Sequence, residues 1–97
     1  MFIHAVLFEI KPKELPVYRK DSKMWAGYAK KARGFICCLV MRRINAKNHY
    51  LSLYQWKTRA DHDRFTKKYH DWLAGKSRSK VRLLDRLNLK SMDEIFP

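Results

Sequence analysis

Acid, glycine and cysteine are all scarce in this chain. Nine Asp and Glu stand against 22 Lys and Arg in 97 residues, a formal net charge of +13. Such a surface draws polyanions through counterion release without identifying one. The three glycines, Gly27, Gly34 and Gly75, lie far apart, which excludes a phosphate-binding glycine loop and a nucleophile elbow. No carboxylate pair suited to acid/base hydrolysis is spaced along the chain. The two cysteines, Cys37 and Cys38, are adjacent; in a strand they point to opposite faces, so a bond between them would distort the peptide. They read as free, buried thiols, as in a reducing compartment. His62 and His70 sit eight residues apart, about 12 Å along a helix, too far to share a metal ion. No apolar run approaches the roughly 20 residues that cross a bilayer, and the apolar start Met1-Phe2-Ile3 carries no basic leader, so a soluble cytoplasmic protein without membrane partners is expected.

No linker, repeat or low-complexity tract divides the chain, and one domain over 1–97 is expected. Phe2 to Ile10 is β-branched, aromatic and apolar, stops at Lys11-Pro12, and reads as a first strand. Pro16 suits a first helical turn, and Val17, Tyr18, Met24, Trp25, Tyr28 and Ala32 follow at helical spacing, predicting a helix over 15–32 that Gly34 closes. Gly34 to Arg43, a polar break at Asn45-Ala46-Lys47-Asn48, and His49 to Trp56 predict a hairpin. Thr58 is a good N-cap, with Asp61 three residues on and a stripe of Phe65, Tyr69, Trp72 and Leu73 behind it, so a second helix runs over 59–74 and Gly75 breaks or bends it. Residues 76–85 suit a helical turn or a strand; a short helical extension is preferred, then a last strand through Leu87 and Leu89 towards Ile95. The basic run from Lys76 to Arg82 reads as a solvated helix surface or helix end rather than a phosphate or nucleic-acid patch.

The order βαββαβ is that of a ferredoxin-like α+β fold, an antiparallel sheet with both helices on one face. Residues 36–41 are apolar at consecutive positions, so both faces of the sheet need cover. A chain this short covers one. A second copy laid sheet against sheet would cover the other, giving a dimeric α+β barrel. On the third strand Tyr50, Ser52, Tyr54 and Trp56 share one face, suited to a pocket; Leu51 and Leu53 share the other and are expected to pack under the helices.

The strand ending in Lys11-Pro12, Gly34-Phe35 at the start of strand two, and Tyr54-Gln55-Trp56-Lys57-Thr58 before a helix with Ala60 and Phe65 resemble the antibiotic biosynthesis monooxygenase family of dimeric α+β barrels, over roughly residues 2–73. The resemblance implies a homodimer and, among that family's activities, either haem degradation or cofactor-free oxygenation. Haem degraders of the family use an Asn, a Trp and a His where ungapped placement puts Val6, Phe65 and the neighbourhood of Gly75, so that activity is disfavoured. The cofactor-free oxygenases need a dry, lined cavity rather than a fixed motif.

Candidate catalytic residues are then Trp56, Tyr54 and His4, and candidate substrate-binding residues are Tyr50, Ser52 and Arg42. An indole at Trp56 could stack on a planar substrate and donate one hydrogen bond; the blander reading has it plug the barrel end. Tyr50 and Tyr54 offer phenols to a carbonyl or enolate, yet cross-strand aromatics also stabilise sheets. His4 titrates where a general base is useful. Arg42, or Arg43 on the other face, suits an anionic substrate or is a hairpin-end charge. No cofactor and no metal is expected. The competing function is a non-catalytic dimeric binding or structural protein of the same fold, the binding form taking anionic ligands or nucleic acid through its basic surface, although no nucleic-acid reading motif accompanies the charge.

Overall fold

Strand β1, Phe2–Glu9, owes its extended form to alternating bulky residues, and it lies inside the sheet. A single 3₁₀ turn over Pro12–Glu14 leads into α1, Leu15–Ala29. Strands β2, Phe35–Arg42, and β3, His49–Trp56, form the hairpin; α2, Arg59–Lys76, follows, and β4, Arg82–Lys90, closes the chain. The computed structural model describes residues 1–95, so the last two residues of the 1–97 domain reading lie outside the described residues. The sheet order is β2-β3-β1-β4 with every pair antiparallel, the ferredoxin-like arrangement expected from the sequence.

Several boundaries differ from the sequence reading. Helix α1 ends at Ala29 rather than 32, because Lys31, Ala32 and Phe35 donate backbone N–H groups three residues back and turn the chain early. Gly34 completes that turn at φ +84°, where a side chain is strained. It also meets α2 closely: a Cβ there would lie 2.0 Å from Asp61 Oδ2. Thr58 caps α2 as read, accepting from Asp61 N–H at 3.2 Å while its own hydroxyl donates to Asp61 Oδ2 at 2.9 Å.

Gly75 does not break α2, which runs on to Lys76 and ends where the Ser77 N–H and hydroxyl both donate to Leu73 O, at 3.0 and 2.9 Å. No helical extension follows. Residues 77–81 are an open strap, since two acidic side chains of the first helical region supply the acceptors that a helix would have offered. Asp21 takes the N–H groups of Arg78 and Ser79, at 3.0 and 2.8 Å for its Oδ2, and Glu14 takes that of Lys80 at 2.8 Å. Strand β4 stops at Lys90, well before Ile95. Its partner β1 has run out: the final link is Ser91 N–H to Met1 O at 3.0 Å.

Register decides which face each side chain takes. Phe2, His4, Val6 and Phe8 of β1 face the helices, as the ring contacts Phe2–His62, His4–His62 and Phe8–Tyr18 show. Their partners Trp56, Tyr54, Ser52 and Tyr50 therefore face the helices too. This reverses one expectation: Leu51 and Leu53 do not pack under the helices but lie on the open side. The physical reason is ring size and shape. Trp56 and Phe2 join Ala29, Phe65 and Leu73 in the buried cluster between sheet and helices, and the bulky aromatic set fills that gap better than a pair of leucines.

Candidate functional site

Between the helix-facing side of β1, β3 and β4 and the inner sides of α1, α2 and the strap lies a cavity of about 460 Å³. That volume falls in the range of small-molecule sites. Aromatic side chains dominate its wall: Phe8 and Trp56 from the sheet, Tyr18 and Trp25 from α1, Phe65 from α2. Strand β2 contributes nothing to the lining, because it is the sheet edge away from β1 and β4. The strap supplies one side through Ser77, Ser79 and Val81, held in place by Trp25 Nε1–H, which donates to Ser77 Oγ at 2.8 Å.

His4 is the best-placed titratable group. Its Nδ1 lies 2.8 Å from Asn88 Oδ1 on the neighbouring strand, with His4 and Asn88 in direct register. With the carbonyl oxygen accepting, Nδ1 carries the proton and Nε2 keeps a lone pair. Burial pushes the imidazole below its ordinary pKa; the Asn88 bond opposes this, and His62, Arg86 and His70 add to the lowering. The ring is thus neutral at pH 7. Its imidazole centroid stands 4.8 Å from that of His62.

Tyr54 and Tyr18 are phenols rather than phenolates, because burial raises both above the ordinary value, with the Cys38 thiol adding to the rise at Tyr54. Burial also pushes the Cys38 thiol up, so neither cysteine chemistry nor a thiolate ligand is prepared there. The Tyr18 hydroxyl and Trp56 Nε1 are buried without a hydrogen-bond partner among the described residues. Ser52 and Ser22 hydroxyls lie beside Tyr18 without reaching hydrogen-bonding geometry. Both orphan donors belong to residues of the cavity wall. Such groups cost stability and are worth keeping where a ligand can meet them.

Of the residues singled out from sequence, His4, Ser52, Tyr54 and Trp56 stand together on this wall. Tyr50 and Arg42 do not line it. They pair with each other at the far end of the same face, Tyr50 opposite Phe8 and Arg42 exposed at the close of β2. Arg43 belongs to the hairpin end, its N–H donating to His49 O at 3.0 Å. Sequence reasoning missed Arg86, His62 and His70 as wall residues, and Asn88 as the partner of His4 behind the wall. His62, Thr66 and His70 did carry a signal, spaced four residues apart on one side of α2. Asn88 and Arg86 carried none, because the register of β4 was not readable. Among the described residues, no three His, Cys, Asp or Glu side chains gather as metal ligands.

No protein-family model matches the chain, and no curated protein matches it in sequence. Solved structures do. SnoaB from Streptomyces nogalater, described as a cofactor-independent oxygenase, superposes with a TM-score of 0.71 at 14% identity over 97% of this chain and 93% of SnoaB. A point mutant of MhuD holding two manganese protoporphyrin IX molecules per active site gives 0.76 at 11% identity over the whole of both chains. An antibiotic biosynthesis monooxygenase gives 0.63 at 16% identity, covering 96% of this chain and all of that one. At identities this low, the likeness establishes the shared fold.

Proposed function

We propose that this protein is a homodimeric, cofactor-independent monooxygenase-like enzyme of a reducing cytoplasm, acting on a small aromatic or polyketide-like molecule held between sheet and helices. The observation that carries the reading is His4: a neutral imidazole, oriented by Asn88, on the wall of an aromatic cavity of about 460 Å³. A substrate CH₂ flanked by aromatic rings that conjugate it to a carbonyl loses a proton to His4 Nε2, and the resulting carbanion reduces O₂ and bonds to it. Protonation by the imidazolium gives a hydroperoxide. Loss of the second C–H proton as the O–O bond breaks leaves a ketone and water, so CH₂ plus O₂ becomes C=O plus H₂O with four electrons moved. Tyr54 and Trp56 donate hydrogen bonds towards the oxygen that gains charge, and the surrounding rings keep bulk water out.

The dimer rests on the opposite face of the sheet. Ile3, Ala5 and Leu7 of β1 stand there with Leu51 and Leu53 of β3, Leu39 and Met41 of β2, and Leu87 and Leu89 of β4. Leu39 and Leu89 are each 50% exposed, more continuous apolar surface than a lone soluble chain of this size leaves in water. No helix among the described residues is long and apolar enough to cross a membrane. Oxygen uptake with anthrone as probe tests the chemistry: the wild-type protein should convert it to anthraquinone, and His4→Gln should lower turnover about a hundred-fold. Equal rates in the two proteins would remove His4 from the reaction.

A further inference from the structure

The charges around the cavity are unequal in what they are free to do. Asp21 is the one carboxylate among its lining residues, and both of its oxygens already accept backbone N–H groups of the strap. His62 is engaged on both sides, Nδ1 with Asp63 Oδ1 at 3.0 Å and Nε2 with Thr66 Oγ1 at 3.3 Å. His70 pairs with Asp71 at 3.2 Å on the exposed side of α2. His4 is held by Asn88. Arg86 is different. Its guanidinium makes no ion pair among the described residues, and its register partner Val6 sets it on the helix-facing side of the sheet, two residues along β4 from Asn88. It lines the cavity while remaining exposed, so it stands at the mouth.

We propose that Arg86 anchors a carboxylate of the cavity's ligand, which narrows the substrate class to planar aromatic acids. The proposal rests on the reading of this cavity as the substrate site. A guanidinium with five donors and no ion-pair partner among the described residues is suited to a two-point clasp on a carboxylate. The aromatic wall around Trp25, Tyr54 and Trp56 accepts the ring system behind it. Arg86 and His4 stand across one register step, β1 position 4 to β1 position 6. An acid group held by Arg86 therefore leaves the ring system behind it extending along the wall that His4 shares. Substituting Arg86 breaks no ion pair among the described residues, which keeps the variants foldable.

Calorimetric titration at low salt with 2-naphthoate and 2-naphthamide as probes tests this. The ring is common to both, and the charge is not. The wild-type protein should bind the acid about ten-fold more tightly than the amide, Arg86→Met should bring the two within about two-fold, and Arg86→Lys should restore part of the preference. Equal affinity for the two probes in the wild type, or an unchanged preference in Arg86→Met, overturns the anchor and leaves the cavity as a site for neutral aromatics. Failure of both probes to bind below about 1 mM overturns the anchor and the substrate-site reading together.

Discussion

The two faces of this sheet are built from alternate residues of the same four strands, yet they are unlike in every respect that matters for function. The helix-facing side carries rings, hydroxyls, His4 and Arg86 around an open volume. The other side carries aliphatic side chains with Ala5, 2% exposed, in a hollow between Leu53 and Leu87. A pleated strand can serve two environments at once because neighbouring side chains never share a side. In our proposal chemistry is assigned to one and assembly to the other, and a one-residue register slip would exchange them.

Breaking the aliphatic side should have the largest effect. Leu53→Lys puts a charge in the middle of the surface that we assign to the dimer; sedimentation should show the dissociation constant raised about a hundred-fold or more, with the monomer still folded. A wild-type protein that sediments as single chains at micromolar concentration would end the contrast. Loosening the other side comes next. Asp21→Ala strips the acceptors from Arg78 and Ser79 N–H; urea unfolding should show a loss of about 2 kcal/mol, and the strap should loosen between its remaining ties at Ser77 and Lys80 without any change in oligomeric state. An unaltered midpoint would show that the ties at Ser77 and Lys80 hold the strap without Asp21.

The smallest effect is a shift in pH. His4 is lowered from 6.5, chiefly by burial. A base must be neutral to act, so kcat/KM should fall as pH drops, with its midpoint below 6.5. Stability follows the same sign: the unfolded chain binds a proton at His4 before the folded one does, so the contribution is full above 6.5 and is lost as pH falls through the lower folded value. Asn88→Leu removes a bond that raises the pKa and should move the midpoint lower still. A midpoint at or above 6.5 would contradict the buried, neutral imidazole.

Much of the fold was legible because its signals are local. The Thr58 cap with Asp61, the left-handed turn at Gly34 and the apolar run of β2 each depend on a few neighbouring residues and physical rules of short range. The strap was not legible. Its path is set by Asp21 and Glu14, more than fifty residues away in the chain, and a run such as Lys76-Ser77-Arg78-Ser79-Lys80 has no periodicity of its own to announce them. The site was legible in halves. His4, Ser52, Tyr54 and Trp56 share a face by simple alternation, while Asn88 and Arg86 join them only through the register of β4, which includes a bulge beside Leu84 that no local pattern marks.

By itself the sequence determined the order βαββαβ, the surplus of apolar sheet surface and the grouping of polar and aromatic residues on one side of β3. These follow from spacing, composition and chain length. Tertiary structure alone decided which side of the sheet the helices cover, that a cavity remains beneath them, and that Asn88 and Arg86 stand with His4. Those are consequences of packing volume and strand register, which join residues more than eighty positions apart, beyond the reach of any local rule.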